Sequence, residues 1–378
     1  MISPGLRARV ACPVCLEPDG CSRCARAGLE HGRCGEEYAS RAACPCGGPD
    51  KVALTDQGAV LFCPCCLVRY PVRAADGYLD LVPRTAVGEV THYADHEFQE
   101  RLHVTDTPPL LSARVKADMM RRMLAPQAGE PVLDLGCGAG KLALYAGGEG
   151  ARAAGVDVAP FFLARAAAEV DLVLGDLRRL PFRKGAYPRA YSLDVLEHLD
   201  VEGLREVLRE ARRVVGRGGR LFVYTHAMES SRLFAFQRAV NRLARRLGRA
   251  GLIDYDREAM RKSDHRNPIR SHEHFDALCA EAGLEMLARR YYNVVFKALV
   301  EDLGLRLFEQ ARRRRRAGPP AAPAREAAPP TGGVLGARPA GRAALALGVA
   351  LTWLLRLDVV LFGGIRTGPF FGLLRPRA

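Results

Sequence analysis

The stretch VLDLGCGAGK (132–141) decides the reading of this chain. An apolar run carries one acid, Asp134, and gives way to Gly136, Gly138 and Gly140. The helix-forming run KLALYA follows. Strand, glycine turn and helix in that order open a βαβ unit, and such turns bring backbone close to a ligand. A dinucleotide-binding turn would read G-x-G-x-x-G, but Lys141 stands where its third glycine belongs. Asp134 sharpens the exclusion. A carboxylate before the turn repels a pyrophosphate and attracts an ammonium group.

Outward from this turn the chain alternates apolar runs with helical patterns, which predicts an α/β fold with a parallel sheet. The predicted strands are PVLDLG (131–136), ARAAGVDV (151–158), DLVLGD (171–176), RAYSLD (189–194) and RLFVYTH (220–226). Leu204, Val207, Leu208, Ala211 and Val215 keep a helix period over 201–215. Segments 231–250 and 274–292 read as a basic amphipathic helix and as helix, glycine turn, strand. TGPFFGLLRP (367–376) reads as a last strand returning to the main sheet. Asp157 ends the second strand 19 residues after Gly138, where a carboxylate can accept ribose hydroxyls. Asp176, in GDLRRLPF (175–182), ends the third and could accept an adenine amino group, with Leu177 lining the ring. DVLEHL (194–199) follows the fourth.

This ordered set resembles class I S-adenosylmethionine-dependent methyltransferases of the small-molecule group, over about 131–226. The resemblance implies a Rossmann-like doubly wound sheet and S-adenosyl-L-methionine as cofactor. It implies that Asp134, Gly136 and Gly138 hold the methionyl part, Asp157 with Val158 the ribose, and Asp176 and Leu177 the adenine. Ser192 would lie near the methionyl group. Where the family usually carries Phe-Asp before strand four, this chain has Tyr187-Pro188. Methyl transfer is an in-line displacement, so positioning and exclusion of water dominate, with a general base needed only for a weakly acidic acceptor. His198 is a candidate base. His226 would face the acceptor, and His92, Tyr93 and His96 would lid the site.

Ten of the twelve cysteines lie between 12 and 66. Cys12-x2-Cys15 with Cys21-x2-Cys24, and Cys44-x-Cys46 with Cys63-x2-Cys66, are paired knuckles of the kind that close a structural zinc site. Cys34 and Cys65 are spares. The second set, with VRYPVRAADGYLDLVP after it, resembles the small zinc-ribbon domain found with methyltransferases, including the methyltransferase-activator type. Two zinc ions are expected. Met1–Val10 lacks an apolar signal region, so a cytoplasmic protein is expected.

Net charge is +14, yet residues 311–378 hold twelve arginines and two acids, so +10 of it sits there. The remaining chain is nearly balanced. RNA is therefore a possible but not favoured partner, with the Arg run 312–316 as its phosphate contact. A small-molecule or lipid-like methyl acceptor is preferred, and a non-catalytic zinc-dependent binding module is the third alternative. Composition divides the chain into a cysteine-rich knuckle region (1–40), a zinc ribbon (41–82) and a bridge with a helix near 110–124 (83–130). A methyltransferase domain (131–310), a basic linker (311–341) and a C-terminal helix with the last strand (342–378) follow. The apolar run from Ala343 is broken by Arg356 and Asp358, which predicts a docked or interfacial helix and no transmembrane span. Oligomeric state has no sequence signal.

Overall fold

A computed structural model describes residues 2–16, 51–82, 107–253, 265–310 and 342–377, apart from single positions at 66, 74 and 309. The chain enters through α1 (Pro4–Arg9), whose N-cap Ser3 accepts the Leu6 N–H and donates to Asp171 at 2.6 Å. Strand β1 (Ala11–Leu16) pairs antiparallel with β2 (Lys51–Ala53). Then β3 (Thr55–Asp56), β4 (Val60–Phe62), β5 (Arg69–Arg73) and β6 (Tyr78–Asp80) form an antiparallel meander. Helix α2 (Leu111–Leu124) confirms the helix expected near 110–124.

The body alternates as predicted. Its elements are β7 (Pro131–Leu135), α3 (Lys141–Gly148), β8 (Arg152–Asp157), α4 (Ala164–Glu169) and β9 (Asp171–Leu174). They continue with β10 (Arg189–Leu193), α5 (Val201–Val215), β11 (Arg220–His226), α6 (Phe234–Arg249), α7 (His272–Glu281) and β12 (Leu284–Tyr291). The five predicted helix-period residues of α5 are all buried. Helix α8 (Arg342–Phe362) precedes β13 (Pro369–Pro376). That last strand does return to the sheet. It inserts antiparallel between β11 and β12.

One 11-stranded sheet results, in the order β12-β13-β11-β10-β7-β8-β9-β6-β5-β4-β3. The described strands of the head from Thr55 to Asp80 are therefore continuous with the body's sheet. Strand β6 runs parallel to β9, with Tyr78 beside Leu172 and Asp80 beside Leu174. The edge of the body's sheet is covered by the head rather than left open. Behind that seam lies a buried ion cluster. Lys51 Nζ reaches Glu210 at 2.6 Å and the carbonyls of Pro13 and Leu180. Arg213 binds the same carboxylate and the carbonyls of Leu180 and Phe182. Tyr187, the departure from the family pattern, packs edge-on against Phe182 with the Arg9 guanidinium 5.5 Å from its ring. It serves the seam between head and body.

Of the expected zinc ligands, Cys12 and Cys63 are buried in one apolar core, with Cys12 Sγ 3.4 Å from the Tyr70 hydroxyl. Cys21, Cys24, Cys44, Cys46 and Cys66, and the side chain of Cys15, lie outside the described residues. So do His92, Tyr93, His96 and the Arg run 312–316. Among the described residues one helical stretch, Leu345–Phe362, is long and apolar enough to cross a membrane by length and composition.

Candidate active site

The glycine turn joins β7 to α3 at the C-terminal edge of the parallel strands, where open α/β sheets bind ligands. Gly136 has φ +80°, and a Cβ there would stand 2.5 Å from a Val195 methyl. Gly138 has φ +51°, and a Cβ there would meet nothing within 4 Å. The first glycine is demanded by packing. The second faces open space that a ligand can take.

Asp134 lies beneath this turn, 2% exposed, and no described residue hydrogen-bonds its Oδ2. Burial pushes its carboxyl up to about 8, the Tyr191 phenol pulls it back, and the negative charge of Asp157 raises it again. A buried carboxyl with an unused oxygen beside an open glycine is suited to an ammonium group. Asp157 ends β8 as expected. Its Oδ2 accepts the Gly138 N–H at 2.7 Å and its Oδ1 the Ala159 N–H at 2.9 Å. Burial raises its carboxyl and these backbone donors partly offset that. Each oxygen keeps a lone pair for a hydroxyl.

Other expected site residues are placed differently. Asp176 caps a short 3-10 turn and grips Arg178, which donates from Nε at 3.0 Å and Nη2 at 2.7 Å. An adenine amino group would share that carboxylate with a guanidinium. Leu177 is half-buried against the core and Val158 is 42% exposed. Ser192 is buried and donates to the Leu135 carbonyl at 3.1 Å, tying β10 to β7.

Beyond β10 and β11 stands a polar cluster. Asp194 takes a left-handed φ of +57°, unusual for a non-glycine, and binds Lys116 of α2 at 2.7 Å. Glu197 is buried, with His226 Nδ1 at 3.3 Å and the Thr225 hydroxyl donating at 3.1 Å. Burial alone would raise its carboxyl, but the hydrogen bond and charge of His226 win and hold it down. The Glu197 carbonyl accepts the N–H groups of Arg266 and Asn267 at 2.9 Å each, which places His265 4.7 Å from His198, ring centre to ring centre. Donor atoms of Glu197, His198 and His265 lie within 4.8 Å of one another. That donor set could hold a transition-metal ion. Both Glu197 oxygens already serve Thr225 and His226, however, so the cluster reads as one for orienting imidazoles.

Residues 133–223 match the family described as methyltransferase domain. An uncharacterized methyltransferase of Synechocystis sp. is 32% identical over 99 residues, covering 25% of this chain and 47% of the relative. A protein of Encephalitozoon cuniculi named as a methyltransferase is 34% identical over 111 residues, 29% of this chain and 50% of the relative. The chain thus spans about half the length of the curated relatives it matches. Among solved structures, phosphoethanolamine N-methyltransferase 2 of Haemonchus contortus in complex with S-adenosyl-L-methionine is similar, at 16% identity and a TM-score of 0.44. That alignment covers 76% of this chain and 61% of the other.

Two residues of the polar cluster have no signal in the sequence around them. Lys116 belongs to the bridge helix α2, and nothing in its local sequence announces a partner 78 positions away. Glu197 stands beside His198 in DVLEHL. The pairing that matters is with His226 on the next strand, since two parallel strands end side by side there.

Proposed function

We propose that this chain is an S-adenosylmethionine-dependent methyltransferase acting on a small-molecule or lipid-like acceptor. The single observation that carries this is Asp134, a buried carboxyl with an unused oxygen beneath a glycine turn whose second glycine faces open space. Asp134 would hold the ammonium of the methionyl part, with the Gly136–Gly138 backbone lying along it. Asp157, and Val158 beside it, would meet the ribose, and Leu177 the adenine. The cofactor supplies an activated methyl group on a sulfonium. What remains for the protein is to orient the acceptor in line and keep water out.

Where the acceptor must lose a proton, His226 is the better-placed base. Glu197 fixes the ring with Nδ1 toward the carboxylate, and Nε2 lies 3.4 Å from the Tyr224 hydroxyl. A base held by a buried carboxylate keeps one tautomer and one orientation. His198 then serves as its neighbour across His265.

We also infer that the head binds zinc. Cys12-x2-Cys15 and Cys63-x2-Cys66 keep the spacing of zinc knuckles, and Cys12 and Cys63 are both buried, as closed structural ligands are. Bound metal would stabilise the segment that covers the β9 edge.

Isothermal titration of the purified chain with S-adenosylmethionine tests the first reading. Binding that Asp134→Ala weakens by at least about a hundredfold supports it, as expected for a lost buried charge pair. No binding by the wild-type protein refutes it. Metal analysis after growth in zinc tests the second, and a content near zero refutes it.

A further inference from the structure

Helix α8 is apolar on both sides. Its inward side packs Leu355, with Leu351, Leu354 and Val359 beside it, and also holds its polar groups. Thr352 accepts the Leu111 N–H at 2.8 Å, and the buried Asp358 accepts the N–H groups of Phe296 and Lys297 at 2.9 and 3.0 Å. Arg356 donates to Asp118 of α2 at 2.6 Å. The outward side is apolar throughout. Val349, Trp353, Leu357 and Val360 follow one another at spacings of four, four and three, a single stripe along the helix. Trp353 is 64% exposed, Val360 71% and Leu361 58%. The ordinary surface helix of a globular protein keeps its outward side polar.

A stripe of this size marks an interaction surface. Three observations say what covers it. The segment that brackets the helix, 311–378, carries +10, against which an anionic surface is the complement. Trp353 sits with the Arg356 guanidinium 4.1 Å from its ring, an aromatic and a cation together at the edge of an apolar face, as in helices that lie in the headgroup region. The inward anchors hold α8 to the body, so the exposed side can lie on a bilayer without the helix crossing it.

We propose that α8 docks the enzyme on an anionic lipid bilayer, its outer stripe in the headgroup boundary. The docking stands without the methyl-transfer reading, but it deepens it. On α2, Lys116 reaches Asp194 at the site and Asp118, two residues on, holds Arg356 of the docking helix. The surface that meets lipid is thus one helix away from the acceptor end of the sheet, which fits an acceptor drawn from the membrane.

Trp353 is the sole tryptophan of the chain, so its fluorescence reports on this face alone. The experiment adds vesicles of phosphatidylglycerol and phosphatidylcholine to the full-length protein. The expected result is a blue shift of emission with acrylamide quenching reduced roughly threefold, weakened by salt. Val360→Ser with Leu361→Ser should lower vesicle partitioning roughly tenfold through lost apolar contact, with S-adenosylmethionine binding retained as proof of folding. Unchanged emission with anionic vesicles in excess overturns the proposal. Equal partitioning onto pure phosphatidylcholine overturns the anionic assignment. A dimer by light scattering that the double variant dissociates, with no vesicle response, gives the face to a second copy and also overturns it. In the wild-type protein, no vesicle response with cofactor binding intact sinks the docking alone, and the converse sinks the methyltransferase reading alone.

Discussion

Binding of S-adenosylmethionine should strip a proton from Asp134, and the pH dependence of affinity measures it. In the free protein burial holds this carboxyl up at about 8. At pH 7 it is ionised in roughly one molecule in ten, and at pH 6 in roughly one in a hundred. An ammonium group against the unused oxygen requires the ionised form. Affinity should therefore rise about tenfold per pH unit between 6 and 7, about 1.36 kcal/mol each. The rise should stop near pH 7.5, since an α-amino group itself loses its proton at about 7.7–8.0. Titration calorimetry in two buffers of different ionisation enthalpy should show close to one proton released at pH 6–7. Asp134→Asn should bind weakly, release none and flatten the profile. Tyr191→Phe removes a group that lowers the Asp134 carboxyl, and should weaken binding at pH 6–7 while keeping the tenfold slope. Wild-type affinity constant within twofold from pH 6 to 7.5, with no proton released, would refute the assignment of Asp134.

The seam between head and body offers a second prediction. Glu210 faces two cations, Lys51 and Arg213, whereas Lys51 faces that one anion together with Arg213 and Arg179. Glu210→Gln leaves two buried cations without their anion and should cost about 3–5 kcal/mol in urea unfolding, while Lys51→Met, which leaves the Glu210–Arg213 pair intact, should cost clearly less. Equal costs would contradict this reading of the cluster. Acid unfolding should expose the same residue. Against the cost of burial, Arg213 and Lys51 hold the Glu210 carboxyl down at about 2 from 4.5. Its stabilisation of about 3 kcal/mol is present above pH 4.5 and lost as pH falls toward 2, and Glu210→Gln should lack that loss. Gly136→Ala should abolish cofactor binding in calorimetry, because the left-handed φ and the 2.5 Å approach to Val195 leave no room for a methyl group. Wild-type affinity in that variant would show that the turn can shift.

Much of the fold over 131–226 is legible in the sequence. The five parallel strands, α5 and the glycine turn fall where apolar runs, helix period and glycine spacing predict, since each is fixed by interactions within a few residues. Residues at strand ends are legible too: Asp157 stands where expected and reaches the turn. Ser192 and Asp176 show the limit. A serine at a strand end can face a ligand or the neighbouring strand, and Ser192 faces Leu135. Asp176 is followed two residues later by Arg178, whose guanidinium folds back onto it. Rotamers and short ion pairs of this kind have no sequence period.

By itself, then, the sequence determined the α/β class, the βα turn with its acid, the clustering of cysteines in the head and the uneven charge. All of these are local in composition or spacing. Only the tertiary structure decided that β6 pairs with β9 and makes the head an extension of the body's sheet, because backbone hydrogen bonds at a sheet edge leave no mark on side chains. It alone paired Lys51 with Glu210 and Glu197 with His226, contacts closed by the crossing of distant elements. It alone decided which side of α8 faces outward, because a helix that is apolar on both sides is oriented only by the partners its inner side finds.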